Sequence, residues 1–317
     1  MTSSAPPDPR DVGIRVRGLR KQYGDRAAVD GIDFDCEPGT ITGFLGPNGA
    51  GKSTTLRILT GLADADAGRA LIRGRRYRDL PAPSREVGVM LDARSLHGGR
   101  TGIETLSLAA TIAGMPASRA AEVLDLVGLE GAGRKRVASY SYGMRQRLGI
   151  GVALIGEPQV LILDEPANGL DPEGIRWMRL LLQDFAARGG TVLLSSHQLH
   201  EVQATVDHLL VIARGRLVRQ GLLEEVVSAG GTRVGVTEPE RLVAALDAIG
   251  AGHTQRSDGL VDVPLEPVQV GRLALEHRLI LTSLGAVETG GLEDTFFSLT
   301  ADPAAPATPA LVTAQEA

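Results

Sequence analysis

The stretch GPNGAGKST, residues 46–54, constrains the fold of this chain more than any other part of its sequence. Its three glycines offer no side chains to a core, but they let the backbone bend so closely that successive N–H groups converge on an anion. The apolar run TITGFLG precedes it and the helical pattern GKSTTLRILTGL follows, so a helix N-terminus would add its positive end. Strand, glycine loop and helix in this order predict a site for a nucleoside triphosphate, rather than an ordinary glycine-rich turn.

One lysine stands inside this loop, although the chain holds only three lysines, Lys21, Lys52 and Lys135. We expect Lys52 to reach the β- and γ-phosphates of the nucleotide, and Ser53 to offer its hydroxyl to Mg²⁺. The residues expected to contact the nucleotide in this loop are Gly46, Pro47, Asn48, Gly49, Ala50, Gly51, Lys52, Ser53 and Thr54.

Two further segments carry residues that suit phosphate chemistry. The run VLILDEP indicates a buried strand that ends in two acids. We expect Asp164 to hold Mg²⁺, and Glu165 to accept a proton from the attacking water or to orient that water. TVLLSSH is a second apolar strand, and its last residue, His197, reaches a γ-phosphate if the strand lies beside the other two. Each residue alone is more typical of a solvated turn or a structural histidine, so the prediction depends on the set.

Strand and helix patterns alternate over residues 13–221 and predict an α/β fold with a mostly parallel sheet. The segments IRVRGLRKQYG and AAVDGIDFDCEPG alternate like the strands of an N-terminal antiparallel part, and residues 101–127 are expected to form a helical insertion. Beyond these, the pattern changes and predicts β-α-β-α-β, a small α+β domain, over residues 222–300. We expect disorder in residues 1–12 and in the Ala/Pro-rich residues 301–317.

Composition and charge exclude several classes of protein. No apolar run approaches the ~20 residues that span a bilayer, and the N-terminus lacks the pattern of a signal peptide. The single cysteine, Cys36, suits a reducing compartment, so we expect a cytoplasmic protein. The net charge is −5, and residues 222–300 carry five arginines against 12 acidic residues, a balance of −7. An acidic C-terminal third argues against binding to nucleic acid.

Residues 13–221 resemble the ATP-binding subunit of an ABC transporter. GPNGAGKST is similar to the Walker A loop of that family, and LILDEP is similar to the Walker B strand with its catalytic glutamate, here Glu165. SSH resembles the loop of the switch histidine, here His197, and ANGLD resembles the D-loop, which ends at Asp171. The resemblance implies a P-loop ATPase fold and hydrolysis of ATP with Mg²⁺.

The most family-specific element is SYSYGMRQRL, which resembles the signature sequence at the start of a helix. Ser141 and Gly143 match its serine and second glycine, and Tyr23 stands where the family stacks an aromatic ring on adenine. In the family, the signature of one subunit closes over the Walker A loop of another. The resemblance therefore implies a homodimer, in which neither ATP site is complete within one chain.

The same resemblance implies a second partner and a location. ATPase subunits of this family power a separate integral membrane permease from the cytoplasmic face of the membrane. GLEDTFFSLT, residues 291–300, resembles the ending of bacterial drug-exporter ATPases, a group that includes daunorubicin-type pumps and whose C-terminal extension is associated with dimer assembly or regulation. We therefore expect export of a drug, antibiotic or other hydrophobic compound, which the permease selects.

Two departures from the family pattern keep alternatives open. Where the family usually has a glutamine, VGVMLDARS offers Asp92, a carboxylate that can still ligate Mg²⁺ but donates no hydrogen bond when ionised. Tyr142 and Met144 replace the first glycine and the final glutamine of the signature. The alternatives are a catalytically weak regulatory subunit, a soluble ABC ATPase that acts on ribosomes or DNA, and the ATPase of an importer.

Overall fold

The computed structural model describes residues 12–197, 203–228, 231–256 and 258–286. The segment GLEDTFFSLT, the tail expected over residues 301–317 and nearly all of the N-terminal arm lie outside the described residues. Among the helices of the described ranges, none combines the length and the apolar composition needed to cross a bilayer.

Strands and helices follow one another through the described residues up to Ser228. The strands are β1 (Ile14–Tyr23), β2 (Arg26–Cys36), β3 (Ile41–Leu45), β4 (Ala67–Ile72), β5 (Val87–Met90), β6 (Val160–Leu163), β7 (Thr191–Ser196), β8 (His208–Ala213) and β9 (Arg216–Leu222). The helices are α1 (Lys52–Leu59), α2 (Pro83–Glu86), α3 (Gly102–Ile112), α4 (Arg119–Leu126), α5 (Tyr142–Leu154), α6 (Pro172–Ala187) and α7 (Leu223–Ser228). Short 3₁₀ turns lie at Tyr77–Asp79, Ala93–Ser95, Glu130–Ala132 and Val137–Ser139.

A six-stranded sheet in the order β5–β6–β7–β3–β8–β9 is the centre of this part. The first five strands are parallel to their neighbours, and β9 is antiparallel to β8. Its inner strands pack on both faces, so they are continuous apolar runs, and every residue of β3 and of β6 is buried. The parallel α/β sheet expected from the sequence is confirmed. The carboxyl ends of β3, β6 and β7 meet at one edge.

A smaller antiparallel sheet covers the first helix. Its order is β2–β1–β4, as expected for an N-terminal antiparallel part. Leu19 and Phe34 of this sheet share a buried cluster with Leu56 of α1 and Phe44 of β3. The small sheet therefore lies against the glycine loop that joins β3 to α1.

The helical insertion between β5 and β6 consists of α3, α4 and α5 and has a core of its own. Leu106 and Leu148 are completely buried in it. Helix α6 is attached to the insertion through Trp177, whose indole N–H donates to the Leu126 carbonyl oxygen at 3.2 Å. The guanidinium of Arg147 lies 4.6 Å from the centre of the Trp177 ring. The insertion and the central sheet are thus connected at the side of α6.

The C-terminal part has a separate four-stranded sheet in the order β11–β12–β10–β13. Val234, Leu246, Val261 and Val270 form its buried core with both helices. The arrangement is the ferredoxin-like split β-α-β motif. It agrees with the expected β-α-β-α-β order and adds the two-residue strand β11. The elements are β10 (Thr232–Val236), α8 (Pro239–Ala248), β11 (Thr254–Gln255), β12 (Val261–Val263), α9 (Pro267–Glu276) and β13 (Leu281–Ala286).

The boundary between the two parts lies later than we expected from the sequence. Strand β9 continues to Leu222, and α7 follows directly. Val226 of α7 is buried in the core of the central sheet, and the N–H of Leu223 donates to the Asp207 carbonyl oxygen at 2.9 Å. The segment that begins at Leu222 therefore belongs with the first part, because Val226 is buried in the core of the central sheet and Leu223 packs against it.

Candidate functional site

The glycine loop follows β3 and is held close to neighbouring backbone. A Cβ at Gly46 would collide with the Ile212 carbonyl oxygen, and a Cβ at Gly51 would collide with the Ala28 carbonyl oxygen. Gly51 also has a φ of 116°, which side chains disfavour, and it stands just before α1. Glycine is therefore required at these two positions for the loop to pack in this conformation.

Lys52 is folded into the loop. Its side chain is only 5% exposed, and its Nζ donates to the Gly46 carbonyl oxygen at 2.5 Å and to the Pro47 carbonyl oxygen at 3.4 Å. Burial lowers the pKa of its ammonium group, and the nearby carboxylates of Glu165 and Asp164 partly offset that shift. A phosphate bound in the loop would offer this cation anionic acceptors, which form stronger hydrogen bonds than carbonyl groups do.

The other loop residues have different surroundings. Asn48 and Ser53 are exposed, Thr54 is half-buried and Ala50 is buried. The backbone around Gly49 is held from the small sheet, because the guanidinium of Arg26 donates to the Gly49 carbonyl oxygen at 2.8 Å. The start of β2, next to the turn between β1 and β2, thus borders the glycine loop.

Tyr23 lies at the same turn. It ends β1 and pairs across the hairpin with Arg26, the residue that bonds to the loop. Its ring is 53% exposed and lies 5.4 Å from the Lys21 ammonium. The structure therefore places an accessible aromatic ring on the hairpin that borders the glycine loop, and its stacking on adenine stays a prediction.

Two acids follow β6, and the hydroxyl of Ser195 in β7 connects them. Ser195 Oγ donates to Asp164 Oδ1 and accepts from the Glu165 N–H at 3.0 Å. Glu165 has a φ of 50°, the left-handed region that a non-glycine residue seldom occupies. The turn after β6 is thus held in an uncommon conformation from the neighbouring strand.

The carboxylate of Glu165 joins the three residues expected to be catalytic. Its Oε1 lies 3.5 Å from Lys52 Nζ, and its Oε2 lies 2.8 Å from His197 Nδ1. These residues come from the loop after β3 and the ends of β6 and β7, as the strand order requires. A buried cation, a carboxylate and an imidazole thus meet beside an anion-binding loop. Such a group can bind phosphate and accept a proton from water.

The oxygen ligands available here fit Mg²⁺. Ser53 offers a hydroxyl and Asp164 a carboxylate, and Mg²⁺ in nucleotide sites is held by one or two such ligands together with phosphates and water. Within the described residues, no group of three or more His, Cys, Asp and Glu side chains is arranged to hold a metal ion. A metal held by Ser53 and Asp164 would leave coordination positions for the phosphates of the nucleotide and for water.

Asp92 is engaged elsewhere. It stands just before the Ala93–Ser95 turn, and its Oδ1 accepts from the Arg94 N–H at 2.8 Å and from Arg94 Nε at 3.0 Å. The same guanidinium lowers the pKa of the Asp92 carboxyl group. This carboxylate, 43% exposed, is thus paired with Arg94 in the structure, and it joins neither Lys52 nor Glu165.

The signature segment lies at the start of α5, where its contacts are with residues other than those of the glycine loop. Ser141 is exposed and its Oγ accepts from the Met144 N–H at 3.2 Å. A Cβ at Gly143 would lie 2.8 Å from the Gly169 carbonyl oxygen, and the ring of Tyr142 packs on Gly169. The start of α5 therefore contacts the D-loop of its own chain.

Asp171 ends that D-loop and begins α6. Its Oδ1 accepts from the Gly174 N–H at 2.8 Å, so the side chain caps the helix. Sequence reasoning missed three polar residues of this region, Arg26, Gln146 and Ser195, although Gln146 and Ser195 lie within segments quoted for their motifs. Only the folded chain shows that Gln146 Nε2 donates to the Glu165 carbonyl oxygen at 2.9 Å.

Comparison with known proteins gives consistent matches. A family model of ABC transporters matches residues 29–168. The daunorubicin resistance ATP-binding protein DrrA3 of Streptomyces coeruleorubidus is 35% identical over 306 residues, which cover 92% of this chain and 97% of that protein. The bacitracin transport ATP-binding protein BcrA of Bacillus licheniformis is 40% identical over 210 residues, 65% of this chain and 69% of that protein.

Two other comparisons each cover about two thirds of the chain. The methionine import ATP-binding protein MetN of Mesorhizobium japonicum is 38% identical over 227 residues, 68% of this chain and 62% of that protein. A solved structure of the ATP binding subunit of an ABC transporter is 29% identical, with a TM-score of 0.62, and the match covers 67% of this chain and 91% of that chain. Only the DrrA3 match, among those described, extends over nearly the whole sequence.

Proposed function

The chain belongs to the ABC transporter family and is an ATP-hydrolysing subunit of transporter type, and from this premise we propose that it powers export through a separate membrane permease. The observation that supports hydrolysis is the Glu165 carboxylate, which lies between Lys52 and His197 at the mouth of the glycine loop. The match to DrrA3 along 97% of that protein supports the exporter class. The subunit would work on the cytoplasmic face of the membrane, since its partner is membrane-embedded.

The chemistry follows from the residues around the loop. The N–H groups of residues 46–54 and the ammonium of Lys52 bind the phosphates of ATP. Glu165 orients the attacking water and accepts its proton, and His197 holds the carboxylate and contacts the γ-phosphate. Ser53 and Asp164 would hold Mg²⁺, which neutralises phosphate charge when bound. Tyr23 stacks on the adenine.

The ATP site is completed by a second copy of the chain. Ser141 and Gly143 form an accessible helix start that can approach an anion, and within their own chain they contact the D-loop instead of the glycine loop. We propose that they close over the nucleotide of a partner subunit in a homodimer, with Asp171 at the same interface. Residues 231–300 serve assembly or control of that dimer.

Import is the second candidate function. It is favoured by the match to MetN, which covers 68% of this chain at 38% identity. Export has the stronger support, because the DrrA3 match includes the C-terminal part as well.

The direction of transport is tested in inside-out membrane vesicles that contain this chain together with a candidate permease, chosen from membrane-protein genes that adjoin its own. We expect ATP-driven accumulation of daunorubicin, used as a fluorescent hydrophobic probe, because exported compounds enter such vesicles. Vesicles with the Glu165→Gln chain are the matched control and should accumulate none. Accumulation that is unchanged in that control would contradict the proposal, and uptake only into right-side-out vesicles would favour import.

A further inference from the structure

A buried amide connects the catalytic turn after β6 to the helix of the signature segment. Gln146 is the fifth residue of α5, and it is 2% exposed. Its Nε2 donates to the Glu165 carbonyl oxygen at 2.9 Å and lies 3.5 Å from the Pro166 carbonyl oxygen. A buried carbonyl group without a donor costs free energy, so this contact stabilises one conformation of the turn.

The backbone of Glu165 needs that stabilisation. Its φ of 50° lies in the left-handed region, which is unfavourable for a residue with a Cβ unless the surroundings enforce it. The N–H of Glu165 donates to Ser195 Oγ at 3.0 Å, and its carbonyl group accepts from Gln146. The same residue is therefore held from β7 on one side and from α5 on the other.

The conformation of this backbone decides where the carboxylate lies. With both peptide groups fixed, Glu165 Oε1 is 3.5 Å from Lys52 Nζ and Oε2 is 2.8 Å from His197 Nδ1. A rotation of the peptide toward an ordinary φ would move the carboxylate away from both. A proton acceptor that shifts by about 1 Å loses much of its effect, because its rate depends on hydrogen-bond reach.

We infer that Gln146 is a positioning residue for Glu165. Its amide holds the Glu165 peptide in the left-handed conformation that aims the carboxylate at the attacking water, an inference that rests on the proposed role of Glu165. Gln146 lies one turn after Ser141 and Gly143 on the same helix.

The test is made on the purified full-length chain with Gln146→Leu, which keeps most of the side-chain volume and removes the donor. We expect kcat for ATP to fall by about 10- to 100-fold, the order that a misplacement of about 1 Å produces. The affinity for a fluorescent ATP analogue should change by less than about threefold, because Gln146 contacts no loop that binds phosphate. A kcat that stays within about threefold of the original value would overturn the inference.

A matched control separates positioning from stability. Leu148→Ala lies on the same helix and removes a completely buried side chain from the core of the insertion. It should lower the melting temperature more than Gln146→Leu, because it leaves a cavity, yet retain most of the turnover at a temperature where the chain is folded. An equal loss of kcat in both variants, at equal folded fraction, would assign the effect to stability and refute positioning.

The combination with Glu165→Gln distinguishes this inference from the proposed function. If Gln146 acts through the carboxylate, the double variant should turn over ATP at the residual rate of Glu165→Gln alone. Independent losses that multiply would show that Gln146 acts by another route. Normal turnover in Glu165→Gln would refute the proposed function, whereas a defective Glu165→Gln beside an active Gln146→Leu would refute only the present inference.

Discussion

The central sheet and the C-terminal sheet place their charged residues in different ways. In the parallel central sheet, Lys52, Glu165 and His197 meet at the carboxyl ends of strands, although more than a hundred residues separate the first from the others. In the antiparallel C-terminal sheet, Arg233 of β10 and Asp262 of β12 are direct cross-strand partners and form an ion pair at 2.8 Å. Strand direction thus determines where the charges gather.

The difference has a chemical consequence. Parallel strands end at the same edge, where a helix N-terminus and loop N–H groups also point, so the residues there can be completed by a ligand. Cross-strand partners in an antiparallel sheet complete each other, and the Arg256 guanidinium adds to Asp262 at 3.3 Å. We therefore expect substitutions at the first sheet to change turnover and those at the second to change stability.

The largest effect is expected for Glu165→Gln. Loss of the proton acceptor should lower kcat by about 10²–10⁴ while ATP still binds, since the loop and Lys52 remain. Single-turnover hydrolysis beside equilibrium nucleotide binding measures the two quantities. Asp262→Asn is the matched change in the C-terminal sheet and should leave kcat unaltered. If both substitutions reduced kcat to the same extent, the expectation that only the central sheet affects turnover would be wrong.

Lys52→Ala should lower the affinity for ATP more than any substitution in the C-terminal sheet. Removing this buried cation takes charge-assisted hydrogen bonds from the phosphates, and we expect the affinity for ATP to fall by about 10–100-fold. Titration with a fluorescent ATP analogue measures the loss. Lys135→Ala, at an exposed lysine of the insertion, serves as the control. If the affinity for ATP were unchanged in Lys52→Ala, the glycine loop would not be the ATP-binding site.

Asp262→Asn should instead destabilise the C-terminal sheet by about 1–2 kcal/mol at neutral pH. The Arg233 guanidinium, with Arg256, lowers the pKa of Asp262 in the folded chain. The stabilisation is therefore complete above the unfolded pKa of about 4, and it is lost as the pH falls through the lower folded value. Amide exchange in β10 and β12, compared between variant and original at each pH, follows this difference. If the difference in amide exchange between the variant and the original chain were the same at every pH, the ion pair would not be its cause.

The smallest effect on ATP binding is expected when the chain is truncated after Ser228. This cut retains α7, whose Val226 belongs to the core of the central sheet, and removes the C-terminal sheet. ATP affinity of the monomer should stay within about twofold, because the two parts have separate cores. Dimer formation by light scattering should weaken if the C-terminal part serves assembly. A cut after Gly221 is the comparison, and it should destabilise the first part as well.

The sequence predicted the parts of this molecule that follow from local pattern. Some elements carry their own signal of residue spacing and apolar period in the sequence. They are the glycine loop, the strands VLIL and TVLLSS, and helix α6. The parallel order of strands then followed from their alternation with helices, and with it the meeting of Lys52, Glu165 and His197. Local pattern was also sufficient for the elements of the C-terminal part except the two-residue strand β11.

Contacts between distant segments could not be predicted in this way. Ser195 reaches Glu165 from another strand and Gln146 reaches it from another helix, and neither residue differs in type from a surface polar residue. Asp92 shows the same limit, since its pairing with Arg94 is set by a turn and not by the position it shares with the family glutamine. The end of the first part was misplaced because α7 is short, and only packing shows where Val226 belongs.

Trp177 gives this protein an optical reporter of its own. It is the only tryptophan in the sequence, and its indole contacts α4 through Leu126 and α5 through Arg147. Indole emission responds to the loss of a hydrogen bond and of a nearby guanidinium, so any rotation of the insertion away from α6 changes the fluorescence of the unlabelled chain. Stopped-flow emission after mixing with ATP can therefore time that motion, which falls in the microsecond-to-millisecond range of domain movements.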